Sequence, residues 1–241
     1  MTLLSRWRAK RATLQAELGR SDLSTAARRA NLVQRALEHL RLDDHFTVRV
    51  SKVYELREPP KVLRGFRDLV VRRANVSDVV ALCAVDQTAR ELVESRLQNG
   101  DVAYVGELEG TILAHVWLHR GTHFLEDQGH LARWELAPRT VWSFNAAASP
   151  DARNSGVFVK VFQTALREAF ECDGAERVQC LIRSTLVSSI GLHEKLGFHR
   201  LGRVLTVTTP LLRVARWEGA DGSRETSATV NGSPPKLGFG Q

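Results

Sequence analysis

The segment from Trp142 to Phe170 joins a short apolar run to a helical run through a turn of small residues. Residues 142–148 are apolar and partly aromatic, and Ser149-Pro150-Asp151 ends them as a turn ends a strand. In the second half, apolar residues recur at helical spacing: Val157, Val161, Ala165 and Ala169. The first turn of a helix has N–H groups without acceptors, and its dipole favours anions. The segment therefore predicts a strand and a helix whose start can bind a phosphate group.

The order of elements around this segment predicts a mixed α/β fold. From residue 69 onward the pattern is strand, helix, hairpin, strand, helix, strand, helix, strand. The predicted strands are 69–72, 102–107, 111–118, 142–148, 178–182 and 204–212, and the predicted helices are 77–97, 159–170 and 186–196. Strands that alternate with helices favour a central sheet that is partly parallel, with helices on both faces.

Composition changes divide the chain into three predicted parts. Residues 1–66 read as a basic N-terminal segment with two helices and a strand at 46–56, and the Pro-rich turn at 58–61 ends it. Residues 67–213 form the predicted α/β domain. Residues 214–241 are rich in Gly, Ser, Thr and Pro, so we expect a disordered tail there.

The net charge of +7 lies in the N-terminal segment. Residues 1–66 hold 14 Lys or Arg and 7 Asp or Glu, whereas residues 67–241 hold 20 of each. A basic arm at residues 1–45 favours contact with an anionic membrane surface or an acidic protein. Few aromatic residues and no binding motif argue against nucleic acid. The plainer alternative is a solvated helical face packed on the domain.

The cysteines and the start of the chain indicate a compartment. The cysteines are three in number and have no C-x-x-C spacing: Cys83, Cys172 and Cys180. No run is long enough to span a membrane, and arginines interrupt the apolar residues at the start, unlike a signal peptide. These features predict a protein of the reducing cytoplasm, with attachment to the inner membrane face as an extension.

Three histidines, His115, His119 and His123, recur at every fourth residue. On a helix this spacing would suggest a metal pair. Their apolar neighbours indicate a strand instead, in which His115 and His119 share one face and His123 lies in a loop. We therefore expect no metal and favour contact with a substrate.

Two motifs resemble those of the GCN5-related N-acetyltransferase (GNAT) family, over roughly residues 67–213. Arg153-Asn154-Ser155-Gly156-Val157-Phe158 is similar to the family's Arg/Gln-x-x-Gly-x-Gly/Ala turn, and His193-Glu194-Lys195-Leu196-Gly197-Phe198 to its Tyr-x-Lys-x-Gly-Phe helix end. The order of the motifs and the strand between them also match. Three positions depart from the family: Phe158 replaces a small residue, Leu186 an Asn, and His193 the Tyr.

The resemblance implies an acyltransferase that moves an acetyl or other acyl group from acyl-CoA to an unidentified amine acceptor, without a metal. It implies that the backbone of residues 154–158 binds the coenzyme A pyrophosphate, with Arg153 as a further contact. The pantetheine arm would then pair with the strand edge at Ala146, Ala147 and Ala148. His193 would protonate the leaving thiolate. Glu135, or a water held by Asn145 or Ser143, would accept the amine proton.

Two other functions remain open on the same fold. One is a non-catalytic binding or regulatory module that lost contacts at Phe158 and Leu186. The other is a transferase whose donor is an acyl carrier protein or an aminoacyl-tRNA, docked by the basic arm. The oligomeric state is also open, and a homodimer is one alternative.

Overall fold

A computed structural model of the chain describes residues 47–63, 66, 68–125, 132–209, 211–230 and 235–238, together with residues 29, 32–34 and 36. The residues described before 47 are helical, and the Gln34 side chain accepts a hydrogen bond from the Val48 N–H (2.7 Å). The first of the two predicted N-terminal helices and most of the second lie outside the described residues.

Four helices and twelve strands make up the described part of the domain. The helices are α1 (Val79–Asp86), α2 (Arg90–Gln98), α3 (Val157–Glu171) and α4 (Val187–Leu196). The strands are β1 (Thr47–Leu56), β2 (Val70–Arg73), β3 (Val102–Leu108), β4 (Thr111–Arg120), β5 (His123–Leu125), β6 (Arg133–Glu135), β7 (Thr140–Ala148), β8 (Arg177–Arg183), β9 (His199–Thr208), β10 (Leu212–Gly219), β11 (Arg224–Val230) and β12 (Lys236–Gly238).

Nine of these strands form one mixed sheet in the order β11-β10-β9-β1-β8-β7-β4-β3-β2. Strands β7 and β8 pair in parallel, and the other neighbours in this sheet are antiparallel. A smaller sheet has the order β12-β6-β5. The predicted α/β class with a partly parallel sheet is confirmed.

The structure corrects the predicted division of the chain at both ends. Strand β1, which we assigned to the N-terminal segment, lies between β8 and β9 in the main sheet. The predicted disordered tail contains most of β10 and all of β11 and β12. Composition misled the prediction because the strands in this region need few apolar residues: β10 buries Ala215 and Trp217, and β12 buries Leu237.

The helices pack in two layers on opposite faces of the main sheet. Neighbouring residues of β4 show the division, because Val116 belongs to the core under α3 and α4 and Trp117 to the core under α1 and α2. The small sheet covers the same face as α1 and α2, further along the strands. Its Trp134 stacks on Trp142 of β7 with ring centroids 5.5 Å apart.

A glycine in β9 tests whether β10 is part of the folded domain. A Cβ at Gly202 would collide with the Glu218 carbonyl oxygen and the Trp217 ring, both in β10. We therefore expect Gly202→Ala to lower the free energy of unfolding by about 1–3 kcal/mol, measured by urea denaturation.

The matched control is Gly191→Ala in α4, where a Cβ would meet nothing within 4 Å. Alanine is the better helix former, so this change should raise stability by roughly 0.5–1 kcal/mol. Equal stability of Gly202→Ala and the wild type would contradict the packing of β10 on β9.

Candidate active site

Strand β7 separates from β8 before either strand ends. Their parallel ladder runs from Thr140–Arg177 to Ser143–Cys180 and stops there, although β7 continues to Ala148. Beyond that point residues 181–183 of β8 pair with β1 on their other side. We call the gap between residues 144–148 and 181–183 the β7–β8 opening. Small side chains at residues 146–148 leave the backbone of β7 accessible there.

A β-bulge lies within this opening. His115 pairs with Ala147 and Trp117 with Phe144, so Asn145 and Ala146 together face the single residue Val116. Asn145 has a left-handed backbone with φ of 40°, a conformation that asparagine tolerates better than most residues. Bulges bend a strand and interrupt its pairing, which fits the departure of β7 from β8.

The turn between β7 and α3 presents backbone N–H groups. Gly156 caps α3 with a left-handed φ of 88°. The first hydrogen bond of the helix runs from the Lys160 N–H to the Gly156 carbonyl oxygen (3.2 Å). The Val157 N–H donates to Ser155 Oγ (3.3 Å). The N–H groups of Phe158 and Val159 have no acceptor within the helix. Arg153, Asn154 and Ser155, predicted to bind pyrophosphate here, are all exposed.

Phe158 contributes to the core beside this turn. Its half-buried ring stacks on Phe162, with centroids 5.5 Å apart. Phe162 in turn contacts His193 of α4 (4.9 Å) and Phe198 (6.0 Å). The three aromatic rings and His193 thus fill the space between α3 and α4. This packing explains why a large residue is accommodated where the family has a small one.

His193 lies in the environment of a core histidine. Its side chain is 5% exposed, and Nδ1 is 2.7 Å from the Ser189 carbonyl oxygen, so Nδ1 carries the proton and donates it. Burial lowers the pKa of the His193 ring to about 4, despite the opposing effect of this hydrogen bond. A neutral ring protonated at Nδ1 has an unprotonated Nε2, so it has no second proton to donate at neutral pH. The predicted acid role is untested and stays a prediction.

Glu135, the predicted base, lies in the small sheet. It is exposed on β6, and the Arg133 Nε lies 3.4 Å from its carboxylate. Its neighbour Trp134 faces the core, and side chains alternate along a strand, so Glu135 points away from the main sheet. Asn145, in contrast, lies at the β7–β8 opening. The structure therefore brings together the predicted residues of β7 and the α3 turn, but not Glu135.

A polar cluster that we did not predict surrounds Asn145. Asp86 of α1 accepts hydrogen bonds from the Thr88 N–H (3.1 Å) and hydroxyl (2.6 Å), and its Oδ2 lies 3.5 Å from His115 Nε2. Arg96 of α2 is 2% exposed, and its guanidinium lies over the Trp117 ring at 5.2 Å. The sequence gives only a weak signal for this cluster. Asp86-Gln87-Thr88 interrupts the predicted helix at 77–97, but the spacing of apolar residues does not show that the Arg96 side chain is buried.

The charge of Asp86 is fixed by its neighbours. Burial acts to raise the pKa of this carboxyl group, but hydrogen bonds from His115 and Thr88 outweigh it and hold the pKa at about 2. Asp86 is therefore ionised at neutral pH beside a buried guanidinium, and such charges are tolerated only with good partners.

The histidines on β4 have separate partners rather than a shared ligand. His119 Nδ1 is 2.7 Å from Asp101 and Nε2 is 2.9 Å from the His123 carbonyl oxygen, so both nitrogens face acceptors. Burial acts to lower the pKa of His119, but the hydrogen bond to Asp101 outweighs this effect, so the pKa is raised overall. Within the described ranges, no group of three metal-binding side chains is found. His115 belongs to the cluster at Asn145, and its predicted contact with substrate stays a prediction.

A mixed sheet that opens between two parallel strands, beside a helix start with free N–H groups, is the arrangement of the acyl-CoA N-acyltransferase fold. The sequence model of the Acetyltransferase (GNAT) family matches residues 76–198, which include the β7–β8 opening, the turn before α3 and helix α4. The chain belongs to the GNAT family, whose members are N-acetyltransferases. No curated protein matches the chain.

Solved structures with a similar fold have low sequence identity to this chain. A GNAT-family protein from Novosphingobium aromaticivorans is 15% identical, with a TM-score of 0.48, and the match covers 67% of this chain and 63% of that one. The ribosomal-protein-S18-alanine N-acetyltransferase of Escherichia coli is 15% identical over 69% of this chain and 93% of its own, with a TM-score of 0.45. An N-acetyltransferase from Staphylococcus aureus is 18% identical over 54% and 82%, with a TM-score of 0.42.

The burial of His193 predicts a specific pH dependence of stability. A folded pKa of about 4, below the ordinary 6.5, means that the neutral ring stabilises the fold above pH 6.5 and that this contribution is lost as the pH falls toward 4. His193→Phe keeps an aromatic ring between Phe162 and Phe198. Relative to this variant, the wild type should lose up to roughly 3 kcal/mol between those pH values, measured by urea unfolding. Parallel pH profiles of the two proteins would contradict the burial of a neutral His193.

Proposed function

We propose that the protein transfers an acetyl or other acyl group from acyl-CoA to an amine of a small molecule, sugar or peptide. The observation that carries this proposal is the end of the β7–β8 ladder at Ser143–Cys180 while β7 continues to Ala148. An unpaired strand edge beside a helix start can hold a ligand that has both amide groups and phosphates. Coenzyme A has both.

The start of α3 would bind the pyrophosphate of the donor. The N–H groups of Phe158 and Val159 lie at the positive end of the helix dipole, and the left-handed Gly156 lets the turn approach a ligand closely. Arg153 is exposed at the same turn, so its guanidinium can pair with a phosphate oxygen. The stacking of Phe158 on Phe162 supports the fit, because it packs the half-buried Phe158 ring against the core.

The β7–β8 opening would hold the pantetheine arm and the thioester. Backbone groups at residues 144–148 that face the opening have no partner on β8, so they can pair with the amides of the arm, and Ala146, Ala147 and Ala148 allow close approach. An N–H group at the bulge would polarise the thioester carbonyl, which develops negative charge when it is attacked.

The transfer step is direct attack on the thioester. The lone pair of the acceptor nitrogen forms a bond to the carbonyl carbon, the carbon–sulfur bond breaks, and the thiolate leaves and takes up a proton. The amine proton passes to a water molecule held near Asn145 or Ser143; Glu135, the other predicted acceptor, points away from the main sheet. Donation of the thiolate proton by His193, which the resemblance implies, would need the charged ring, and a folded pKa of about 4 makes that form scarce at neutral pH.

The acceptor would enter from the face covered by α1 and α2, opposite to α3. The basic arm at residues 1–45 lies mostly outside the described residues, so its contact with an anionic membrane or an acidic protein stays a prediction. Among the helices that the structure describes, none is long and apolar enough to cross a membrane. We place the reaction in the cytoplasm on the basis of the cysteine pattern.

The aromatic packing at α3 supports a second candidate, a non-catalytic module of the same fold. Phe158 and the buried His193 replace residues that the family uses at its donor site, and a module that lost turnover could keep this packing. It predicts coenzyme A binding without release of free thiol from acetyl-CoA and any amine. If the donor is instead an acyl carrier protein or an aminoacyl-tRNA, activity should depend on residues 1–45 and on that carrier.

A pair of arginine substitutions on one helix and its preceding turn tests the donor site. If Arg153 pairs with a phosphate, Arg153→Ala should weaken coenzyme A binding by roughly 10-fold or more, since a charged hydrogen bond contributes about 1.5–3 kcal/mol. The measurement is isothermal titration with coenzyme A, followed by free-thiol release from acetyl-CoA with a panel of primary amines.

The matched control is Arg167→Ala, which removes the same charge from an exposed position further along α3. It should bind coenzyme A as the wild type does. Equal weakening by both substitutions would indicate a general charge effect, and no binding of coenzyme A by the wild type would refute the proposed donor.

A further inference from the structure

Three side chains connect the bulge of β7 to the helices on the acceptor side. With its amide nitrogen toward Asp86, Asn145 lies 3.3 Å from Asp86 Oδ2, and its oxygen is 2.5 Å and 3.3 Å from the two terminal nitrogens of Arg96. Asp86 is the last residue of α1, and Arg96 lies in the last turn of α2. We call Asp86, Arg96 and Asn145 the bulge clamp.

The backbone at the bulge needs external support. The φ of 40° at Asn145 is uncommon for a residue other than glycine, and such conformations persist where the surroundings hold them. Pairing with β8 has ended two residues earlier, at Ser143. The side-chain contacts of Asn145 therefore add to the pairing with β4, which is interrupted at the bulge.

The two charges of the clamp are costly to keep in the core. Arg96 is 2% exposed, and its guanidinium lies over both the Trp117 and the Phe144 rings, at 5.2 and 5.3 Å. A buried charge is costly unless its partners are well placed. The buried guanidinium of Arg96, with the Asn145 oxygen as an acceptor, therefore favours a role in holding the strand in one place.

We infer that Asp86 and Arg96 are positioning residues that act through Asn145 to fix the β7 bulge against the transferred acyl group. The inference rests on the proposed function, because it assumes that the thioester lies in the β7–β8 opening. The clamp would hold the N–H groups of the bulge at the thioester carbonyl, and it ties their position to the junction of α1 and α2, on the face proposed for the acceptor. A misplacement of about 1 Å at such a site can slow the chemical step 100-fold.

Two substitutions remove the clamp with little change in packing. Asn145→Gly keeps a residue that adopts positive φ readily and removes the amide. Arg96→Met keeps an unbranched apolar stem over the rings of Trp117 and Phe144 but removes the guanidinium. Arg90→Met is the matched control, since Arg90 lies on the same helix with its side chain 64% exposed.

The double substitution Asp86→Asn with Asn145→Asp provides a rescue test. Asn145→Asp alone places two carboxylates against each other. In the double variant the amide and the carboxylate exchange places, so one amide–carboxylate pair is restored and Arg96 keeps an acceptor at residue 145. If the clamp positions the bulge, the double variant should recover the kcat and the carbonyl-band shift that Asn145→Asp alone loses.

The test uses acetyl-CoA labelled with 13C at its carbonyl and bound to the full chain. In the wild type the carbonyl stretching band, measured by infrared difference spectroscopy, should move to lower frequency than in free acetyl-CoA. Asn145→Gly and Arg96→Met should move the carbonyl band back toward its frequency in free acetyl-CoA. Coenzyme A affinity should stay within about threefold of the wild type. With any amine that is turned over, kcat should fall about 100-fold at constant KM. Arg90→Met should match the wild type.

The outcomes separate this inference from the proposed function. Folded Asn145→Gly protein that binds coenzyme A and shows the wild-type band refutes the inference alone. Failure of the wild type to bind coenzyme A refutes the proposed function, and the inference with it. If Arg96→Met does not fold, Asn145→Gly and the exchange variant decide the result.

Discussion

The structure depends on the one parallel pairing among the described strands of the main sheet, between β7 and β8, which stops before either strand ends. Four residue pairs join the strands, from Thr140–Arg177 to Ser143–Cys180. Beyond them β8 pairs with β1, and β7 pairs with β4. Both strands therefore continue although they no longer pair with each other. Unpaired backbone groups are costly unless a partner satisfies them. The β7–β8 opening is therefore a place where a ligand can complete the sheet.

The rest of the fold supports this opening from both faces. On one face, the aromatic packing of Phe158, Phe162 and Phe198 with His193 joins α3 to α4, which fixes the start of α3 beside the end of β7. On the other face the bulge clamp joins α1 and α2 to Asn145. Strand β1 precedes the segment that matches the GNAT family, yet it lies next to β8 and holds its outer edge.

Local patterns in the sequence predicted the central elements, and long-range pairing limited the rest. Apolar periodicity and Gly197 located β7, α3, β8 and α4 to within a few residues, because those signals are contained in each segment. The place of β1 could not be predicted, since its partners are more than 100 residues away. The same holds for β10 to β12, whose polar composition resembles that of a loop. At the proposed site, the motif predicted the turn at Gly156 and the resemblance predicted the strand edge at Ala146–Ala148, whereas Asp86 and Arg96 were not predicted because only tertiary packing brings them to Asn145.

The most direct test of the central claim is hydrogen exchange of the backbone amides with and without coenzyme A, resolved by residue. If the donor completes the sheet at the β7–β8 opening, coenzyme A should slow exchange at residues 144–148 and at 154–159, while the amides of β2 and β11 at the sheet edges stay unchanged. Tight binding of coenzyme A without protection of residues 144–148 would contradict the claim that this opening holds the donor.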